Sequence, residues 1–210
     1  MNSKSAALAL IVAALGLSGC ASMSSEECAT SDWRAVGYED GSRGYASEQF
    51  GKHRKACAKH GYTADFAAYQ QGRDAGLVEY CQPSRGFNVG ASGSRYHGVC
   101  PVEMEGDFLD AYRAGHQLYT LRSNVSSAEN AIRYKESELD SLAESIGQAE
   151  ALLISDATTS EERVLLLSDL KRMSERTGEL ENEIDALIHD LAAYEAELFE
   201  YEQAVAAFGY

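Results

Sequence analysis

Two long stretches in the second half of the chain repeat apolar residues at alternating steps of three and four, a spacing that a helix gathers onto one side. The first runs Leu118, Leu121, Val125, Ala128 and Ile132, then Leu139, Leu142, Ile146, Ala149 and Leu153, interrupted by Lys135. The second runs Leu166, Leu170, Met173, Thr177, Leu180, Ile184, Leu187, Leu191, Tyr194, Leu198, Tyr201, Val205 and Phe208. Neither contains proline, and such stripes predict coiled-coil helices. Residues 155–160 between them are polar, and Thr159 with Glu162 has capping-box spacing, so a turn is expected there. Two helices joined so closely fold back antiparallel, seam against seam. At about 1.5 Å per residue the second, spanning 160–208, would extend about 70 Å. Its partner must then begin near 103–108, after Pro101, which suits a helix start. The aromatics Tyr194, Phe199, Tyr201, Phe208 and Tyr210 would return to the base of the hairpin as packing residues. Leu152, Ile154, Leu165, Leu167 and Ile188 widen the stripe and leave self-association open.

Charge divides the chain at about the same place. Residues 21–102 hold nine Lys or Arg against nine Asp or Glu, whereas 103–210 hold eight against twenty-four. An acidic chain without a basic run is a poor partner for nucleic acid or anionic lipid head groups. The acidic residues of the last helix, Glu179 to Glu202, read as a solvated face, or as a docking surface for a basic partner.

At the other end, residues 1–4 are a short basic leader, and 6–17 are apolar but too short for a span of about 20 residues. Leu17-Ser18-Gly19-Cys20 resembles the lipobox of bacterial lipoproteins. By that resemblance 1–19 is a signal peptide and Cys20 is the acylated first residue of the mature protein, followed by a short linker, 20–27. Ala21 and Ser22 lack the aspartate that retains many such proteins at the inner membrane, so the periplasmic face of the outer membrane is expected.

Four further cysteines, Cys28, Cys57, Cys81 and Cys100, fall in the first half. In an oxidising periplasm they make two disulfides with three connectivities open; their placement favours 28 with 57 and 81 with 100. A zinc site competes, because Cys57-x-x-His60 and His97-x-x-Cys100 have ligand spacing. His60 before Gly61 also suits a plain helix end.

Tyr38-x-x-Gly41, Tyr69-x-x-Gly72 and Tyr112-x-x-Gly115 each follow an acidic-aromatic pair, Asp32-Trp33, Asp65-Phe66 or Asp107-Phe108. This reads as a helical element used three times, with an acidic N-cap, an aromatic anchor and a glycine face. Glycine inside a helix costs about 1 kcal/mol relative to alanine, so its recurrence implies close helix contact. A ligand pocket lined by Asp40, Arg43, Arg73 and Tyr80 is the alternative. Residues 82–99, rich in glycine and serine, read as a loop that could bind a small ligand through Arg85, Arg95 and His97. Ser92 lacks the setting of a catalytic serine, and no phosphate-binding loop or other catalytic or cofactor motif is present.

Taken together, Asp32-Trp33, Gly37-Tyr38-x-Asp40-Gly41-x-x-Gly44, Cys57-x-x-His60-Gly61, Tyr69-x-x-Gly72-x-x-x-Gly76-Leu77-x-x-Tyr80-Cys81, Gly86, Gly90, Gly93, Tyr96-x-Gly98-x-Cys100-Pro101 and Tyr112-x-x-Gly115 resemble a family of bacterial lipoproteins known as a domain of unknown function. The resemblance covers about 28–122. It implies an exported, lipid-anchored protein and brings no catalytic residues. The expectation is therefore an all-α protein: a disulfide-stabilised helical domain over 28–102, then an acidic antiparallel hairpin over 103–210. Its expected role is structural, as a spacer or protein-interaction module of the cell envelope, with the membrane, an envelope protein or a second copy as partner. A small-ligand-binding module or enzyme using 82–99 is the other reading.

Overall fold

The structure, a computed structural model, describes residues 23–208; the expected signal peptide over 1–19, the expected acylation site Cys20, and Tyr210 lie outside the described residues. Those residues are helical and contain no strand: α1 (Ser25–Thr30), α2 (Trp33–Ser42), α3 (Glu48–Ala58), α4 (Phe66–Tyr80), α5 (Pro83–Ala91), α6 (Val102–Leu153) and α7 (Ser160–Phe208). None of these helices is long and apolar enough to cross a membrane. The described residues divide into two compact units, one holding 23–80 with 97–99, the other 81–96 with 100–208. The division between compact units follows Tyr80, because α5 packs on the start of α6.

In the first unit the Asp32 carboxylate caps α2, accepting from the amides of Arg34 and Ala35 at 2.9 and 3.2 Å, and Asp65 accepts from Ala68 at 3.0 Å at the start of α4. The two helices cross through glycine. A Cβ at Gly37 would lie 2.0 Å from the Tyr69 carbonyl oxygen, and one at Gly72 would lie 1.8 Å from that of Arg34. Only hydrogen fits where the backbones meet. Helix α3 covers one side, placing Phe50 4.9 Å from the Tyr69 ring and 6.2 Å, edge-on, from Trp33. Cys28 joins Cys57 within this core, with Cα atoms 5.4 Å apart. Gly61, at φ +81°, ends α3.

The second unit begins at Cys81. Residues 83–91 form helix α5 rather than a loop: Pro83 occupies its first turn, and Gly86 and Gly90 face α6. A Cβ at Gly90 would lie 2.1 Å from Tyr112 O, and one at Gly115 2.0 Å from Phe87 O. The α5/α6 crossing therefore repeats the α2/α4 crossing. Gly86 meets Phe108 O as Gly37 meets Tyr69 O, Gly90 meets Tyr112 O as Gly41 meets Arg73 O, and Gly115 meets Phe87 O as Gly76 meets Tyr38 O. Gly44 and Gly93, both at positive φ, end the first helix of each pair and lie under the rings of Tyr80 and Tyr119. Phe87-Asn-Val-Gly90 in α5 stands where Tyr38-Glu-Asp-Gly41 stands in α2, whereas Tyr112-x-x-Gly115 in α6 corresponds to Arg73-x-x-Gly76 in α4 and not to Tyr69-x-x-Gly72. Asp107 is no cap, since α6 starts five residues earlier.

From this base α6 and α7 run antiparallel. Leu121, Ala128, Ala149, Leu180 and Ile184 are buried in the seam. Lys135, which breaks the apolar stripe, pairs with Glu183, and Arg176 reaches Glu138 at 3.0 Å and Glu183 at 3.3 Å. Such solvent-screened pairs add little to stability, but they fix the register of this polar layer. Thr159 and Glu162 close a capping box at the start of α7, with Thr159 N to Glu162 Oε2 at 2.8 Å and Glu162 N to Thr159 Oγ1 at 3.3 Å. At the other end Leu198, Tyr201 and Val205 pack against Phe87, Ala111 and Leu118, and the Tyr201 hydroxyl donates to Ala114 O at 2.9 Å. Phe199, expected to pack, is 63% exposed.

Candidate functional site

Among the described residues Asp40 is the one charged residue that is buried, at 5% exposure. Helix α2 carries it beside Gly41, on the side that α3 and α4 cover. Its Oδ2 accepts from the Tyr69 hydroxyl at 2.8 Å and lies 2.9 Å from His53 Nε2. A buried carboxylate is tolerable only when so engaged. Burial, then the hydrogen bond to Asp40, then that carboxylate's charge hold the Tyr69 phenol well above its ordinary pKa, so it stays protonated and donates.

Asp40 and His53 also line a cavity of about 380 Å³, with Val36, Arg43, Tyr45 and Gln49 among its other walls. Arg43 is exposed at its mouth, 3.6 Å from Glu39. Arg73 braces the wall from α4, donating to Tyr45 O at 3.1 and 3.3 Å. An imidazole oriented by a buried carboxylate can hold a hydrogen-bonding ligand. The lining offers no serine, cysteine or lysine nucleophile.

The structure thus brings Asp40, Arg43 and, at one remove, Arg73 together. Tyr80 is buried against Gly44 and serves packing. Arg85, Arg95 and His97 are exposed and none lines this cavity; Arg85 stands on α5, and Arg95 and His97 lie in the irregular segment that follows it. The tetrahedral set Cys57, His60, His97 and Cys100 is not formed either, because Cys57 is bridged to Cys28 and Cys100 to Cys81, the latter with Cα atoms 5.6 Å apart. No cluster of three or more His, Cys, Asp or Glu with ligand geometry occurs among the described residues. His53 is the residue that sequence reasoning missed. Its signal was faint: with Phe50 and Cys57 it occupies the apolar side of α3, where a lone histidine reads as core.

The second unit has its own cavity, about 430 Å³, at the tip of the hairpin. Leu152, Leu165 and Leu166 form its floor, and Glu162 and Asp169 line it from α7.

Residues 32–117 match the model of a family described as a protein of unknown function (DUF2799). The match begins at the cap of α2 and ends in α6 just past Gly115, so it takes in both glycine-crossed pairs and leaves out most of the hairpin. No curated protein and no solved structure matches the chain.

Proposed function

We propose that the paired-helix region which the family model covers is the base of a lipid-anchored envelope protein, and that the hairpin rooted in it is the arm through which the protein meets its partner. The observation that carries this reading is the rooting itself. Helix α6 is one continuous helix from the α5 crossing to the tip, and the end of α7 returns to pack on Phe87, Ala111 and Leu118. An arm that is continuous helix from its foot to the tip has the mechanical character of a spacer or adaptor. Export and anchoring are supported by the lipobox-like sequence ending at Cys20 and by two disulfides, which persist in oxidising compartments. The residues after Cys20 favour the outer membrane.

Two measurements test this. Cys20→Ser should abolish incorporation of labelled fatty acid and move the protein from the membrane to the soluble fraction; unchanged retention overturns the anchor. Removing one heptad from each arm, 121–127 and 187–193, keeps seam and register while shortening the reach. This should reproduce the envelope defect of a deletion strain. A second reading, ligand binding in the first unit, is favoured by the Asp40–His53 cavity. It prevails if His53→Ala reproduces that defect and the shortened arm does not.

A further inference from the structure

Along most of the hairpin the apolar stripe is narrow and the exposed large apolar residues, such as Tyr134, Ile188 and Phe199, are scattered singly. The tip is different. Val164, Leu165, Leu166 and Leu167 are consecutive on α7, so they point all round the helix, and only Leu166 belongs to the seam stripe. Val164, Leu165 and Leu167 are 66%, 65% and 55% exposed, and Leu152 and Ile154 opposite them are 55% and 82% exposed. A helix turn that is apolar all round is one that something else covers. The cleft of about 430 Å³ between Leu152 and Leu165 lies within the size range of ligand pockets.

Charge selects the occupant. Residues 150–169 contain five carboxylates, Glu150, Asp156, Glu161, Glu162 and Asp169, and one cation, Arg163. Arg163 is committed to the end of α6, donating to Leu153 O and, at 2.6 Å, to Ser155 O. Glu162 and Asp169 line the cleft itself, with Arg172 beside Asp169. A second copy would set one acidic hairpin against another, and an anionic membrane surface would repel the carboxylates of the turn. We propose that the tip cleft receives an apolar side chain from a partner protein segment in which that side chain is flanked by lysine or arginine. This rests on the reading of the hairpin as an interaction arm.

The test uses full-length protein in detergent and a fluorescent peptide carrying one leucine between pairs of lysines. Wild type should bind it about fivefold more tightly than the peptides in which serine replaces leucine or glutamate replaces lysine. Leu165→Ser and Asp169→Asn should each weaken binding about fivefold, with unchanged helicity and thermal melting. Phe199→Ser and Glu200→Gln, the same changes elsewhere on α7, should have no effect. Equal losses from all four variants would mean diffuse charge attraction and would overturn the proposal. In cells, a photocrosslinking residue in place of Leu165 should give a protein adduct whose mapped segment has an apolar residue beside lysine or arginine. Adducts with the protein itself or with lipid overturn it. Protein adducts from position 199 and none from 165 overturn the tip site but leave the arm intact; none from either position overturns both.

Discussion

The α2/α4 and α5/α6 crossings are built to one plan from different side chains. In each, glycines let two helices touch at backbone distance, a positive-φ glycine ends the first helix under a tyrosine ring, and the second helix donates to the chain just beyond that glycine. Arg73 gives this last bond to Tyr45 O, and the Tyr112 hydroxyl gives it to Ser94 O at 3.1 Å. A disulfide ties the approach to the first helix to the approach to the second in both. The interior differs. Where the first crossing has Asp40 and Tyr69, the second has Val89 and Phe108 in the corresponding places. Only the first crossing carries a helix, α3, between its members, and α3 brings His53. The plan therefore requires glycines and a bridge, whereas the polar cluster is an addition to one copy.

The largest expected effect comes from the bridges. They close loops of 29 and 19 residues, so serine in place of both cysteines should cost about 3.5 kcal/mol at Cys28–Cys57 and about 3 kcal/mol at Cys81–Cys100. Denaturation followed by hydrogen exchange in each unit measures both. A bridge whose removal leaves its unit unchanged would break the equivalence of the two crossings. Next come the crossings themselves. Gly72→Ala and Gly115→Ala each force a methyl group to within about 2 Å of a backbone oxygen, and neither backbone can yield without parting the helices. Each should cost about 3 kcal/mol, read as a fall in the unfolding midpoint of its own unit.

The polar cluster gives a sharper test. Asp40→Ala leaves the Tyr69 hydroxyl buried without its acceptor and should cost about 2 kcal/mol. Asp40→Val combined with Tyr69→Phe installs the pair found at Val89 and Phe108. It removes donor and acceptor together, while His53, which is partly exposed, can turn to water. The double variant should be more stable than Asp40→Ala by about 1 kcal/mol in chemical denaturation. If it is instead the less stable of the two, the Asp40 cluster is part of the fold's requirement rather than an addition to it.

What the sequence made legible follows how local each cause is. The hairpin was readable because a seam repeats every few residues, and the capping box of Thr159 and Glu162 marks the start of α7 without help from distant chain. The break at Lys135 was visible, but its partner Glu183 is 48 residues away and only the folded register supplies it. Glycine at helical spacing marks contact positions in α2, α4 and α6. In α5 the same glycines, set among serines, read as a loop, because intrinsic propensity disfavours a helix there and only the contact with α6 overrides it. The repeat was hidden by Phe87 standing where its counterpart has Tyr38. The Asp40–His53 pairing depends on α3 folding across α2, for which no local pattern exists.

The smallest expected effect reverses sign. Gly178 lies inside α7, and a Cβ there would meet nothing within 4 Å. It has none of the reasons that hold glycine at 37, 72, 90 or 115, so Gly178→Ala should stabilise the hairpin by about 0.7 kcal/mol by narrowing the unfolded chain and favouring the helix. Thermal melting of this variant beside Gly115→Ala, which lies in α6 of the same unit, sets a gain against a loss for one chemical change. Two losses of similar size would mean that glycine serves the hairpin for a reason other than contact, and the contrast between crossing and arm would fail at that point.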